Sequence, residues 1–291
     1  MSPETEQPGT FRWPPIEVVE QHAPDEQPQS TDANPLSSLI ESIEIDLLGR
    51  VGLSFDLWAQ RTGWRPDSRE ASCWRCAGSV GAHEQDGEGC VACRSTKLPW
   101  DRALRLSTYR DEIRDEVLAL KFHAWRPGGR ALGTMLGRLI NEQVGHAQIP
   151  IQDVRIVPIP MHPIRRIRRG IDHTLVIARG AGASSSIPVT RVLRARHRPE
   201  QVGRSPTARA KNMKDAFRPR HQLLRRLHRR RQDQVRLWVL IDDVRTTGAT
   251  FSAASKALRA GLKSIGRRSD EAEIWVCSIG VTQSRDRRGD V

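Results

Sequence analysis

The stretch Leu237-Trp-Val-Leu-Ile-Asp-Asp-Val-Arg-Thr-Thr-Gly-Ala-Thr250 constrains the fold of this 291-residue chain more than any other. The apolar run Leu237–Ile241 predicts a buried strand, two carboxylates end it, and a hydroxyl- and glycine-rich turn leads into a helix over Thr250–Ala260. In open α/β sheets, ligands gather at the carboxyl ends of such strands. Gly248 permits close backbone approach, and the N–H groups of a helix start favour an anion. Thr246, Thr247 and Thr250 flank Gly248 and Ala249 with hydroxyl donors, while Asp242 and Asp243 stand where they accept hydrogen bonds from a ribose diol. Unpaired carboxylates at a buried strand end are costly, so both are expected to be met by ligand. The turn lacks the Gly-Lys-Ser/Thr of a P-loop, which argues against a Walker-type NTPase.

The rest of the chain alternates short β-rich runs with helical patterns. Strands are predicted at Leu104–Tyr109, Val154–Ile159, Val189–Leu193 and Glu273–Ile279, and helices at Asp111–His123, Ala131–Val144 and His173–Arg179. Ile113, Val117, Leu118 and Leu120 form the inward face of the first helix, and Arg126-Pro-Gly-Gly is expected to end it. This order predicts an α/β fold with a largely parallel sheet flanked by helices. Residues 1–35 carry seven of the eighteen prolines among Glu, Gln and Asp, and read as a disordered acidic tail. Leu36, Leu39, Ile40, Ile43 and Leu47 recur at helical spacing. The domains expected are 1–35 as tail, 36–100 as a helix plus a cysteine-rich unit, 101–282 as the α/β domain and 283–291 as a basic tail.

Four of the five cysteines fall as Cys73-Trp-Arg-Cys76 and Cys90-Val-Ala-Cys93, thirteen residues apart. Each C-x-x-C hairpin aims two thiolates at one tetrahedral centre, and two hairpins complete a structural four-cysteine zinc site without a spare ligand position. Two disulfides and an iron–sulfur cluster are the alternatives. Cys277, in an apolar strand pattern, reads as a buried filler rather than a nucleophile.

Charge narrows the partners. Residues 1–50 hold ten acidic and two basic side chains, whereas the remainder carries a net charge of +21. A body of that sign attracts polyanions, whether nucleotides, pyrophosphate or nucleic acid. Residues 220–236 read as a basic insertion, with an amphipathic run at Leu223-Leu-Arg-Arg-Leu227. No apolar run reaches the ~18 residues of a membrane span, and the acidic N-terminus lacks a signal pattern, so the cytoplasm is expected.

Ile241–Thr250 resembles the phosphoribosyl-diphosphate (PRPP) motif of type I phosphoribosyltransferases. Val157-Pro-Ile-Pro160, followed by Met161-His-Pro-Ile-Arg-Arg-Ile-Arg-Arg-Gly170, is similar to a segment of the ComF family. Arg196–Gln201, Arg209–Phe217, the Tyr109–Lys121 helix ending in Lys and the four-cysteine cluster resemble that family in the same order, over roughly residues 36–280. The resemblance implies a type I phosphoribosyltransferase-like domain behind an N-terminal zinc ribbon. It also implies PRPP or a nucleotide bound with Mg²⁺, pyrophosphate met by Arg165, Arg166 and Arg169, and a hood carrying Gln201, Arg209 and Asn212. Transfer of phosphoribose to an acceptor follows only if the site is active, and no residue stands out as a general base. The family is associated with DNA uptake, which implies single-stranded DNA or a DNA-uptake or recombination protein as partner. A non-catalytic nucleic-acid-binding accessory and a PRPP or nucleotide sensor are the alternatives. Two positions depart from the pattern. Gly170-Ile-Asp-His173 stands where the family usually has Gly-Phe-Asn-Gln, and Thr246 stands where purine-salvage relatives carry an Asp.

Overall fold

Strands that are apolar on both faces belong in the middle of a layered molecule, and this chain has them. The computed structural model describes residues 59, 62–196, 215–229, 235–268 and 270–282. The acidic tail, the 36–47 helix, the hood residues Gln201, Arg209 and Asn212, and the basic tail lie outside these residues. In chain order the strands are β1 (Gln85–Asp86), β2 (Gly89–Cys90), β3 (Arg102–Thr108), β4 (Val154–Pro158), β5 (Leu193–Ala195), β6 (Phe217–Pro219), β7 (Leu237–Arg245) and β8 (Glu273–Val281). The helices are α1 (Val91–Arg94), α2 (Asp111–Phe122), α3 (Arg126–His146), α4 (Pro163–Arg169), α5 (His173–Ser185), α6 (His221–Arg229) and α7 (Ala249–Lys263).

Strands β3, β8, β7 and β4 form one sheet in that order, every neighbour parallel. β4 is buried at every position, and β8 at every position after Glu273. Parallel neighbours need crossovers, and the helices that supply them cover both faces. One core layer joins Val117 and Leu120 of α2, Leu132, Leu136 and Ile140 of α3, and Ile177 of α5 to the sheet. The other joins Trp100, Leu224 of α6, and Phe251, Leu258 and Leu262 of α7 to the opposite face. The α/β expectation holds, and α3, α5, α7, β7 and β8 run longer than periodicity suggested, whereas α2 and β4 end one residue sooner.

Several expectations need correction. Arg126-Pro-Gly-Gly does not close a helix; it opens α3, with Pro127 in the first turn, where a missing N–H costs nothing. On α2, Leu118 is only half-buried, whereas Glu116 is buried. Val189–Leu193 is not a strand of the sheet. Ile156 N–H donates to the Pro188 carbonyl at 3.0 Å and Thr190 N–H to the Ile156 carbonyl at 2.7 Å, a single parallel bridge at Val189. Pro188 has no N–H with which to extend the ladder. The chain instead enters the antiparallel pair β5–β6. The segment read as a basic insertion contains α6, whose Leu224 is 1% exposed in the core.

Helix α5 runs on to Ser185 through Gly180-Ala-Gly182, a weak helix-former stretch. Its packing on α3 explains why. A Cβ at Gly133 would run into the Ile177 carbonyl oxygen, and one at Gly180 into the Arg130 carbonyl oxygen. Ser184 Oγ donates across the contact to the Thr134 carbonyl at 2.9 Å. Gly133→Ala is therefore expected to lower unfolding free energy by about 1–3 kcal/mol through overpacking. Gly145→Ala, on the same helix but facing open space, should hold level or gain slightly. Urea denaturation of the pair checks this.

Candidate functional site

β7 delivers Asp242 and Asp243 to the carboxyl edge of the sheet, and Gly248 (φ +78°) turns the chain into α7. That left-handed φ is the reason for glycine at this position. Thr246 and Thr247 are exposed, Gly248 is buried, and Ala249 and Thr250 are half-buried. Thr247 Oγ1 accepts the Ala249 N–H at 3.3 Å. The strand–turn–helix read from sequence is thus present, with α7 starting six residues after Asp243.

The two aspartates have different surroundings. Asp243 is met by the protein itself: Lys121 Nζ from the last turn of α2 lies 2.9 Å from Oδ2, and His173 Nε2 from the start of α5 lies 2.8 Å from it. The expectation that ligand alone meets both carboxylates is therefore corrected for Asp243. Burial works against its charge, but the bond to His173 and the Lys121 charge outweigh burial and hold its carboxyl well below the usual range. Asp242 has only a local acceptor role, taking the Asp243 N–H at 3.0 Å. Burial, followed by the neighbouring Asp243 charge, pushes its carboxyl up to about 8. Lys121 and His173 are the residues that sequence reasoning gave no role here. The signals were present as a lysine closing a predicted helix and as the departure Gly170-Ile-Asp-His173.

The basic segment after β4 is a helix, α4, rather than a loop, capped by Gly170 in the left-handed region (φ +64°). Arg165 and Arg166 are exposed on it. Arg169 folds back: its guanidinium lies 5.7 Å from the Phe122 ring centroid, and its Nη1 is 3.5 Å from His173 Nδ1. A continuous polar chain thus runs Arg169–His173–Asp243–Lys121 beside Asp242. Pro158 pairs with Ile241, and Ile159 N–H donates to the Ile241 carbonyl, so the Val-Pro-Ile-Pro segment ends beside the same carboxylates.

The four cysteines are buried and free of disulfides, with their sulfurs within 4.8 Å of one another. Sγ···Sγ separations are 3.8 Å for Cys73–Cys93, 3.7 Å for Cys76–Cys90 and 3.7 Å for Cys90–Cys93. Ligands ~2.3 Å from a tetrahedral ion lie about 3.8 Å apart, which fits one zinc ion and is far from an S–S bond. Cys90 N–H points at Cys73 Sγ and Gly78 N–H at Cys76 Sγ, donors that favour thiolates. The cluster could hold a structural zinc. Cys277 is fully buried in β8, and burial pushes its thiol up.

No family profile matches the chain. Competence protein F of Haemophilus influenzae is 25% identical over 205 residues, covering 70% of this chain and 82% of that protein. DNA utilization protein YhgH of Escherichia coli is 26% identical over 183 residues, covering 58% of this chain and 70% of that protein. Together they support a ComF family assignment. The acidic strand end, the helix start and the cysteine cluster all fall on described elements. No helix among the described residues is long and apolar enough to cross a membrane.

Asp243→Asn should destabilise the fold by about 3–5 kcal/mol, because it leaves the Lys121 charge without its counter-charge and weakens the bond to His173. Asp242→Asn should act in the opposite direction above neutral pH. A carboxyl raised in the folded state binds more protons there than when unfolded, so it erodes stability as pH rises from ~4 to about 8. Removing it flattens that decline, and denaturation midpoints at pH 5 and pH 8.5 measure both effects. Purified protein should carry about one zinc per chain by mass spectrometry under native conditions.

Proposed function

We propose that this ComF protein binds PRPP or a nucleotide at the carboxyl end of β7 and serves a DNA-uptake process. One observation carries the reading: Gly248, in the left-handed region, turns the chain into the start of α7 a few residues after the acidic end of β7. The long Thr247–Ala249 bond is one that a phosphate oxygen, a stronger acceptor, would replace at that helix start. Asp242, neutral near pH 7 without ligand, suits a ribose diol, to which a carboxyl presents both an acceptor and a donor. Arg165, Arg166 and Arg169 would offset diphosphate charge from α4. His173, Asp242 and Asp243 group closely, but Asp243 is occupied by Lys121 and His173. The set therefore fits a sugar better than a directly bound ion, and Mg²⁺ would arrive on the oxygens of PRPP.

If phosphoribose is transferred, the protein's work is to hold the diphosphate, neutralise it as it leaves and exclude water. The zinc would serve structure alone, through Cys73, Cys76, Cys90 and Cys93. We further propose the tail, ribbon and α/β domain boundaries stated from sequence, and the hood role of Gln201, Arg209 and Asn212.

A second reading, direct binding of single-stranded DNA, is favoured by a basic face on the other core layer. Arg194 and Arg218 stand directly opposite across β5–β6, a like-charge pairing that an anion relieves. A cavity of about 780 Å³ beside them is lined by Arg194, Pro219, Arg220, His221 and Arg226. The relatives' names, competence protein and DNA utilization protein, fit either reading.

Titration calorimetry with PRPP and Mg²⁺ tests the first reading. Binding is expected, and Asp242→Ala, which removes both the acceptor and the donor, should weaken it roughly threefold to tenfold, the worth of a neutral hydrogen bond. Unchanged affinity in the variant would reduce the loop to a helix cap. A pyrophosphate-release screen over nucleobases then reports turnover, and the salt slope of oligonucleotide binding reports the second reading.

A further inference from the structure

The first cysteine knuckle does more than hold two thiolates. Four consecutive carbonyls, from Trp74 to Ala77, all accept hydrogen bonds from Trp100 or from residues of the α/β domain. Ala103 N–H donates to Trp74 O at 2.9 Å, Trp100 Nε1 to Arg75 O at 3.0 Å, Arg245 Nε to Cys76 O at 2.9 Å, and Arg105 Nη1 to Ala77 O at 3.1 Å. Arg105 is almost fully buried, also reaches Ala71 O and Ser79 Oγ, and pairs with Asp67 at 2.8 Å. The cysteine-rich segment is thus bonded closely to the residues that follow it.

Two of those donors bracket the anion loop. Arg245 is the last residue of β7, immediately before Thr246. Trp100 is 6% exposed and meets the Phe251 ring edge-on at 6.4 Å, in the first turn of α7. Its outer ring carbon lies 3.3 Å from where a Cβ of Gly248 would sit. The loop is thus held at its entry through the Cys76 carbonyl and at its exit through the Arg75 carbonyl.

Carbonyl directions in a C-x-x-C knuckle follow from how its two sulfurs are held. Ala77 shows how tightly this one is wound: it has φ +55°, and its N–H donates to Cys73 O at 2.7 Å. With a metal at the four sulfurs that winding is fixed. Without one, nothing holds the four close-set sulfurs at that spacing, and the carbonyls turn as they part.

We propose that the cysteine knuckle is the positioning element of the anion loop, its metal-set carbonyls holding Arg245 and Trp100 so that residues 245–251 keep the conformation that receives phosphate. This rests on the phosphate-loop reading above. Arg245 and Trp100 are positioning residues in it. The metal site therefore controls ligand affinity from a distance, without touching ligand.

The test uses the full chain, zinc-loaded and chelated, together with Trp100→Phe, which keeps an aromatic ring and removes the N–H. Inorganic pyrophosphate is the calorimetric probe, and amide hydrogen exchange over 245–251 is the readout independent of ligand. Trp100→Phe should keep its zinc and its circular dichroism, bind pyrophosphate roughly threefold to tenfold more weakly, and exchange faster in that loop. Chelation should act in the same direction and more strongly. Unchanged affinity and exchange in Trp100→Phe would overturn the proposal even if the chelated protein unfolds. A zinc-loaded parent that binds no pyrophosphate would overturn the phosphate-loop reading instead. The exchange comparison then decides the coupling, and equal protection with and without zinc would sink it too.

Discussion

A buried carboxylate with two side-chain partners, a lysine and a histidine, ties this molecule together. Asp243 sits at the end of the central strand β7, and its partners come from the end of α2 and the start of α5. An isolated charge in that position would be expelled or protonated. The fold therefore closes only when both helices arrive in register, and their arrival shapes the floor beside Asp242. Stability and site geometry here depend on the same few atoms.

The division of labour between the adjacent aspartates follows from that arrangement. Asp243 holds its charge because Lys121 and His173 surround it, and its charge in turn raises the carboxyl of Asp242. One residue is committed to structure, and its neighbour is left poised for a partner from outside. Pairs of titratable groups driven apart in this way mark sites where a ligand can recover energy that the fold has not used.

Most of the layering was legible in the sequence, because uninterrupted apolar runs such as Leu237–Ile241 and Ile274–Val276 have few places to go other than a buried parallel strand. The cluster of four cysteines was legible from spacing alone. Lys121 and His173 were not, since a lysine at a helix end is ordinarily solvated and nothing local tells it from any other. The packing of α3 on α5 was also hidden, because nothing local tells which helix faces Gly133, and Gly180-Ala-Gly182 lies beyond the predicted end of its own helix. Val189–Leu193 misled because β propensity says nothing about whether a ladder partner has an N–H to offer.

The strand order carries a temporal consequence. β8, the last described strand in the chain, lies between β3 and β7, which both precede it. Until it is synthesised, both of those strands have an open edge, and the two halves of the sheet have nothing to join them. The acidic strand end and the cysteine knuckle are therefore made before the sheet that aligns them can close. A nascent chain holding β3, β4 and β7 but not β8 exposes apolar strand edges, so the order of synthesis, and not only the stability of the finished fold, governs its exposure to aggregation.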